Sequence, residues 1–304
     1  MQELTEGGVL LTSRAVDAGW PERSLSRVLR VEGWTRIRAG AWVQPGQVVD
    51  LAIRLRAVQL LRPQLVVSHR SAAALWRIET LGNGTDAALE FVDPKLALRR
   101  KSGGVHVYRL PLTKADVAVR NGLRVTNPAR TLADLLRAGP RNNALVAAES
   151  ALTYRRVNRV RRAPVTRLDV IAKALEAPLL GAKRARDWLG LIDPRSESPA
   201  ETIARLHMHD AGLHPEPQAE LLTPEGRRLR LDFLFRTEGV AVEVEGYAYH
   251  GTWDAHRRDV VRFNQIAQCP KVRRLLRFTA EDVFHRPALM IEGIRAALGT
   301  GVSG

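Results

Sequence analysis

The chain has a single cysteine, Cys269, in 304 residues. That excludes an intrachain disulfide framework and a cysteine-rich zinc site. No apolar run approaches the length of a transmembrane helix, and the N-terminus lacks the apolar core of a signal peptide. A cytoplasmic location with no membrane partner is therefore expected. Internal repeats and long low-complexity tracts are missing too. Lysine is scarce, so arginine carries most of a net charge of +15 and a sequence pI of about 11.0. Guanidinium forks suit phosphate, and a basic chain is drawn to polyanions by a salt-dependent, sequence-independent attraction. A high-GC genome inflates arginine in the same way, so the composition agrees with a nucleic-acid partner without establishing one. Hydrophobic residues make up 45%, enough for real cores, and the length suits two or three domains.

What the chain does have is a pattern of acids near the C-terminus. Side chains alternate along a strand. Over residues 229–235, Leu229, Leu231, Phe233 and Phe235 share one face and Asp232 takes the other. Over residues 240–245, Val240, Val242 and Val244 share a face, and Glu243 and Glu245 take the other. Thr237-Glu238-Gly239 between them is short enough for a hairpin. Closure at Thr237-Glu238 sets Asp232 opposite Glu243, and closure at Glu238-Gly239 sets it opposite Glu245. Both registers put three acids on one side. Like charges across a strand pair are destabilising, so such a cluster implies a cation. Carboxylate oxygens suit Mg²⁺ or Mn²⁺, which can polarise a phosphodiester and activate a water. The alternative is a half-exposed hairpin whose acids pair with arginines such as Arg230.

The flanking residues extend the pattern. Ser198-Pro199-Ala200-Glu201 opens an amphipathic helix with the spacing of a capping box. After the acids come Tyr249-His250, a helical run with Arg257, Asp259 and Arg262, a strand-like Leu275-Leu276-Arg277-Phe278-Thr279, and a closing helix over about 281–298. The order helix, hairpin, helix, strand, helix resembles the PD-(D/E)XK nuclease fold. More closely, residues 196–298 resemble the domain family related to very-short-patch-repair (Vsr) mismatch endonucleases. Glu201, Asp232-Phe233, Glu243-x-acid-Gly246, His250, Asp259-x-x-Arg262 and Leu276-Arg277-Phe278 carry the likeness. The resemblance implies Mg²⁺ or Mn²⁺ held by Asp232 and Glu243. It implies His250 as general base or water-positioning group, a role an imidazole titrating near neutrality suits, and Glu201 completing the site. Glu245 stands where the wider superfamily has lysine and where this branch usually has Asp, and with Glu201 it would assist catalysis directly or through water. Arg257 and Arg262 become candidate DNA contacts. Asp259 and Arg262 also have the three-residue spacing of a surface ion pair.

The N-terminal region has a different signature. Residues 11–19 read as a capped short helix stopped by Gly19, and residues 21–30 as a second helix. Leu25, Val28 and Leu29 can face a core, while Arg23, Arg27 and Arg30 fall on one face. Residues 34–43 alternate like two strands around a tight turn, with Arg36 and Arg38 on the first. Helix, turn, basic helix and β-wing is the layout of a winged helix-turn-helix, which enters the DNA major groove. The alternative is a small α/β domain with a solvated arginine face. Gly40-Ala41-Trp42-Val43, Ser68-His69-Arg70-Ser71-Ala72-Ala73-Ala74-Leu75-Trp76 and Val125-Thr126-Asn127-Pro128-Ala129-Arg130-Thr131-Leu132-Ala133-Asp134 make residues 5–150 similar to AbiEi-type antitoxins of type IV toxin–antitoxin systems. The resemblance implies operator DNA as a partner and points to a cognate nucleotidyltransferase toxin. Ser68 reads as a helix cap rather than a nucleophile.

These readings define an α/β chain of the α+β multidomain class. Residues 1–48 form a winged helix-turn-helix, 49–152 an AbiEi-like α/β domain, 153–195 a basic helical connector and 196–304 a Vsr-like mixed-sheet nuclease domain. The connector carries Arg155, Arg156, Arg159, Arg161 and Arg162, which lie along DNA or form a solvated helix end. Two functions stay open: a metal-dependent DNA endonuclease, or a non-enzymatic transcriptional regulator or antitoxin that keeps the nuclease fold as a binding scaffold. Winged-helix proteins often dimerise, so a homodimer is open as well.

Overall fold

The computed structural model describes residues 1–82, 87–96, 100–157, 160–223, 226–245 and 253–299, without the side chains of 100, 101, 253–256, 258 and 259. Among the described residues it is a mixed α+β structure with four separate sheets. Its contacts divide it into two compact units, Met1–Ile78 with Gly82–Leu135, and Glu79–Leu81 with Leu136–Gly304. Among the described residues no helix is long and apolar enough to cross a membrane.

The first unit begins with β1 (Val9–Leu11), α1 (Thr12–Asp17), α2 (Glu22–Val31), β2 (Thr35–Arg38) and β3 (Ala41–Val43). The strands form an antiparallel sheet of order β1-β3-β2. Period-2 alternation gives β1 two buried faces. Leu10 packs with Ala15, Leu25, Leu29, Trp34 and Trp42 under α1 and α2. Val9 and Leu11 pack with Ile53 and Ala57 of α3 (Leu51–Leu61) on the other side. Sequence reading takes Leu11 into a capped helix, but Leu11 belongs to the strand. No side chain caps α1; Thr12 Oγ1 instead accepts the Trp42 indole N–H at 3.3 Å.

The rest of this unit adds β4 (Val66–Val67), α4 (His69–Leu75), β5 (Leu89–Val92), β6 (Arg100–Ser102), β7 (Val105–Tyr108), β8 (Val117–Arg120) and β9 (Leu123–Thr126). These strands form a six-stranded sheet of order β6-β7-β5-β4-β9-β8. Leu55 and Val58 of α3 bury against Val67, Phe91, Val107 and Val125 of that sheet. One helix therefore serves two cores, which explains why it is apolar on more than one side. The unit boundary falls within α5 (Pro128–Ala138).

The second unit starts with α6 (Arg141–Leu152), buried at every position from Ala144 to Ala151. Then come β10 (Arg155–Val157), β11 (Val160–Arg162), α7 (Leu168–Ala174), α8 (Ala182–Leu189), α9 (Pro199–Asp210), β12 (Glu216–Leu222), β13 (Arg228–Phe235), β14 (Val240–Glu245), α10 (Trp253–Ala267), β15 (Arg274–Thr279), α11 (Ala280–His285) and α12 (Pro287–Leu298). The arginine-rich stretch is thus an antiparallel hairpin and not a helix end, while the rest of the expected connector is helical, in α7 and α8. Its β-branched Val157 and Val160 sit opposite each other, and alternation buries Arg155 and Arg162. The closing helix is likewise two helices. Pro287, with no N–H to give, starts α12 at its first turn after α11 ends.

Residues 136–195 join the C-terminal sheet because a buried carboxylate ties them there. Glu149 on α6 has no solvent exposure. It accepts the Asp193 N–H at 2.9 Å and the Thr202 hydroxyl at 2.6 Å, and it pairs with Arg205 of α9. An unpaired buried carboxylate would be prohibitive, so this set holds α6, the segment before α9, and α9 in one arrangement.

The C-terminal sheet has order β12-β13-β14-β15. The first three strands are antiparallel, and β15 runs parallel to β14 after the α10 crossover. Leu221, Leu229, Leu231 and Ala241 bury with Ile266 of α10 and with Cys269 just beyond it. Helices α9 and α11 pack onto β14. The β13–β14 turn places Phe235 opposite Val240 and Phe233 opposite Val242, so it closes at Thr237-Glu238 and Asp232 faces Glu243. Gly239 makes this turn possible. Its φ is +66°, and a Cβ there would lie 3.1 Å from the Lys271 carbonyl oxygen.

Candidate acidic site and basic faces

The acid cluster forms where the ladder of the C-terminal sheet is interrupted. Pro217 pairs with Phe233 and Ala219 with Leu231, but Gln218 between them has a left-handed φ of +52°. On the other side of β13, backbone pairing gives way to carboxylates. Asp232 Oδ2 accepts the Val244 N–H at 2.8 Å, and Glu243 Oε1 accepts the Asp232 N–H at 3.1 Å. Each acid therefore satisfies a main-chain donor of the opposite strand, as buried N–H groups require. Both side chains are held close to each other at the centre of the sheet.

Burial raises the Asp232 carboxyl to about 7, helped by the negative charges of Glu243 and then Glu201; the Val244 N–H and Arg262 act against this. Arg262 of α10 donates to Glu243 Oε2 at 2.8 Å and to the Arg230 carbonyl at 2.8 Å. Glu245 pairs with Arg277 of β15, whose guanidinium lies 4.5 Å from the Phe263 ring centroid. Arg230 is occupied elsewhere, 2.6 Å from Glu197. The sheet thus brings Asp232 and Glu243 into one place, while Glu245 turns to an arginine.

Glu201 is buried near the start of α9. Its N–H donates to the Ser198 hydroxyl at 3.1 Å, but its carboxylate takes the Glu197 N–H at 2.8 Å and the Gln218 amide at 2.8 Å. The capping box read from sequence is therefore half formed, because the carboxylate reaches one residue further back. Burial raises the Glu201 carboxyl, while the Glu197 N–H and Ser198 act against this more strongly than the Glu197 charge adds to it. His250 lies outside the described residues, as does the side chain of Asp259, so the Asp259–Arg262 pair lies outside them too. Arg257 is exposed on α10. Gln218, Glu197 and Glu149 escaped the sequence reading. Only Glu149 left a signal there, as a lone acid in the apolar run of α6.

Among the described residues, no group of three or more His, Cys, Asp and Glu side chains is placed to hold a metal ion. Two carboxylates remain, and they fit a hard divalent cation of the kind bound by one or two carboxylates plus waters and phosphate. Asp232 Oδ1 has no hydrogen-bond partner among the described residues. A cation there would relieve the repulsion that raises Asp232.

In the first unit, Arg23, Arg27 and Arg30 are exposed on α2, and Arg36 is exposed on β2. The guanidiniums of Arg30 and Arg36 lie 6.0 and 5.9 Å from the ring of buried Trp42, so helix and hairpin present cations over one aromatic support. Arg38 differs from the others. It donates to the Gly103 carbonyl at 2.6 and 3.3 Å, and burial beside Arg62 and Arg54 lowers its pKa.

No protein-family model matches the chain. It is 28% identical over 242 residues to two uncharacterized proteins of Mycobacterium tuberculosis, MT2308 of strain CDC 1551 / Oshkosh and Rv2248 of strain H37Rv. Each alignment covers 79% of this chain and 84% of the relative. The crystal structure of the RV2827C protein from Mycobacterium tuberculosis is similar at a TM-score of 0.40 and 19% identity, over 71% of this chain and 84% of that one. A likeness at that level carries no argument about activity.

Proposed function

We propose that the chain binds DNA and that its C-terminal unit carries a metal-dependent endonuclease-like site for phosphodiester hydrolysis. One observation carries this reading. Asp232 and Glu243 meet across two central strands with a single guanidinium, Arg262, on Glu243. Like charges opposite each other destabilise a strand pair, and a second positive charge would relieve them.

Asp232 and Glu243 would hold Mg²⁺ or Mn²⁺, which when bound polarises a phosphodiester and lowers the pKa of a coordinated water. Asp232 offers Oδ1, and Glu243 offers Oε2 once Arg262 moves to a phosphate oxygen. Half-exposed Arg262 is suited to that exchange. His250 is assigned the positioning or deprotonation of the attacking water. Glu201 and Glu245 support the site through their neighbours rather than as ligands. A mixed sheet whose last strand is parallel, flanked by α9 and α10, supports a restriction-endonuclease-like domain of the Vsr-related type. The basic face of α2 and the β2–β3 hairpin support a winged helix-turn-helix that reads DNA. A cognate toxin and a homodimer rest on the resemblance to antitoxins and winged-helix proteins alone.

The scaffold reading has its own observation, since Arg262 and Arg277 give Glu243 and Glu245 one arginine each. Under it the protein is a regulator or antitoxin. Cleavage of labelled plasmid and short duplexes with Mn²⁺ or Mg²⁺, against EDTA, separates the two. Metal-dependent nicking lost in folded Asp232→Ala and Glu243→Ala variants supports the nuclease. Tight, salt-sensitive binding without cleavage, or full activity in either variant, supports the scaffold.

A further inference from the structure

The β10–β11 hairpin sorts its arginines by face. Arg155 and Arg162 are directly opposite and turn inward. Arg155 is 4% exposed, with Nε 3.4 Å from Glu79 Oε2, and Arg162 donates to the Ala163 carbonyl at 2.6 Å and to the Ser150 carbonyl. Arg156 and Arg161 are the next opposite pair, and both are exposed. Neither has a carboxylate partner among the described residues. Two guanidiniums facing each other on a short ribbon are unfavourable unless an anion joins them.

An aromatic ring completes this surface. Tyr154 precedes β10 and is 67% exposed, with the Arg161 guanidinium 5.8 Å from its ring centroid. Tyr154, Arg155, Arg156 and Arg161 line an open concavity of about 540 Å³, in the size range of small-molecule sites. Arg155 lines it while buried, and among the described residues its Nε and Nη1 make no hydrogen bond, the contact of Nε with Glu79 being an ion pair only. Glu201 and Glu197, next to the acid site, are among the carboxylates whose charges act on Arg155. The ribbon and the acid site lie in the same compact unit.

We propose that this ribbon is a docking element for single-stranded DNA, with Arg156 and Arg161 on successive phosphates and one unpaired base stacked on Tyr154. That it delivers the strand to Asp232 and Glu243 rests on the nuclease reading; the binding itself does not. A single strand is chosen because an exposed ring beside the Arg161 guanidinium offers a π-face to an unstacked base, and duplex bases have their faces covered. An acidic peptide would use the arginines and leave the ring idle.

The test is fluorescence anisotropy of a labelled oligothymidine with the full-length protein in EDTA. The background is Arg23→Ala/Arg27→Ala/Arg30→Ala, so that the other basic face does not mask the ribbon. Tyr154→Ala is expected to weaken single-strand binding about ten-fold, with Tyr154→Phe restoring it, as loss of one stacked base implies. Arg156→Ala/Arg161→Ala should flatten the slope of log K against log salt by about 1.4, from roughly 0.7 per phosphate on single strands. Unchanged affinity and slope in folded variants overturn the proposal. So does an equal loss for duplex DNA or polyglutamate. EDTA keeps binding separate from catalysis. A wild type that never cleaves, yet depends on Tyr154 for strand binding, retires the nuclease reading and leaves the ribbon standing.

Discussion

The raised Asp232 carboxyl makes the stability of the C-terminal unit depend on pH in a definite direction. In the unfolded chain this group ionises near 3.8, and in the fold near 7. Between those values the folded state holds a proton that the unfolded state has lost, so stability falls as pH rises through that window and is flat above it. The interval from 3.8 to about 7 corresponds to up to about 4 kcal/mol, at 1.36 kcal/mol for each tenfold change in proton activity. Asp232→Asn removes the titration but keeps an oxygen to accept the Val244 N–H. Relative to wild type, the variant should gain stability steadily from pH 4 to pH 7, by up to about 4 kcal/mol at pH 8. Urea unfolding at pH 5 and pH 8 measures this as a pH-dependent separation of midpoints at constant slope. Added Mn²⁺ should stabilise the wild type and not the variant. A wild type and variant that differ by the same amount at both pH values would show that Asp232 is not buried against Glu243, and the argument for a cation site would go with it.

Three further outcomes follow from the contacts. Arg262→Ala removes the guanidinium on Glu243; it should cost about 1 kcal/mol without divalent cation, discounted for exposure, and should tighten Mn²⁺ binding by calorimetry. Glu149→Ala leaves Arg205 buried without its carboxylate and should cost about 3–5 kcal/mol in thermal or urea unfolding, although it lies outside the acid site. Arg27→Ala should reduce the salt slope of duplex binding by about 0.9, one phosphate contact, whereas Arg38→Ala should leave it unchanged because the Gly103 carbonyl already holds that side chain. Equal slopes for the two variants would remove α2 from the DNA-contacting surface.

Much of the local structure was legible in residue order. Alternation marked the extent of β13 and β14, although Leu229 and Leu231 pack with Leu234 and Ala241 rather than with Phe233; Gly239 restricted where their turn could close. The helix and hairpin punctuation near Gly19, Pro21 and Gly40 located α1, α2, β2 and β3. Ser198 and Pro199 located the start of α9. The errors came where local signals were ambiguous. Five arginines in eight residues suit a solvated helix or a ribbon equally well, and only burial of Arg155 and Arg162 selects the hairpin. The break at Pro287 was readable in the sequence, since proline prefers the first turn of a helix to its interior.

Sequence by itself determined which side chains could share a face, because that depends on periods of 2.0 and 3.6 residues along a few neighbouring positions. It therefore put Asp232 with Glu243 or Glu245, and Arg23 with Arg27 and Arg30. Only tertiary structure decided which charges meet. Arg262 reaches Glu243 across 19 positions, and Arg205 reaches Glu149 across 56. Those pairings, and the rise of Asp232 to about 7, come from desolvation and from distances between separate elements, and no local period encodes either.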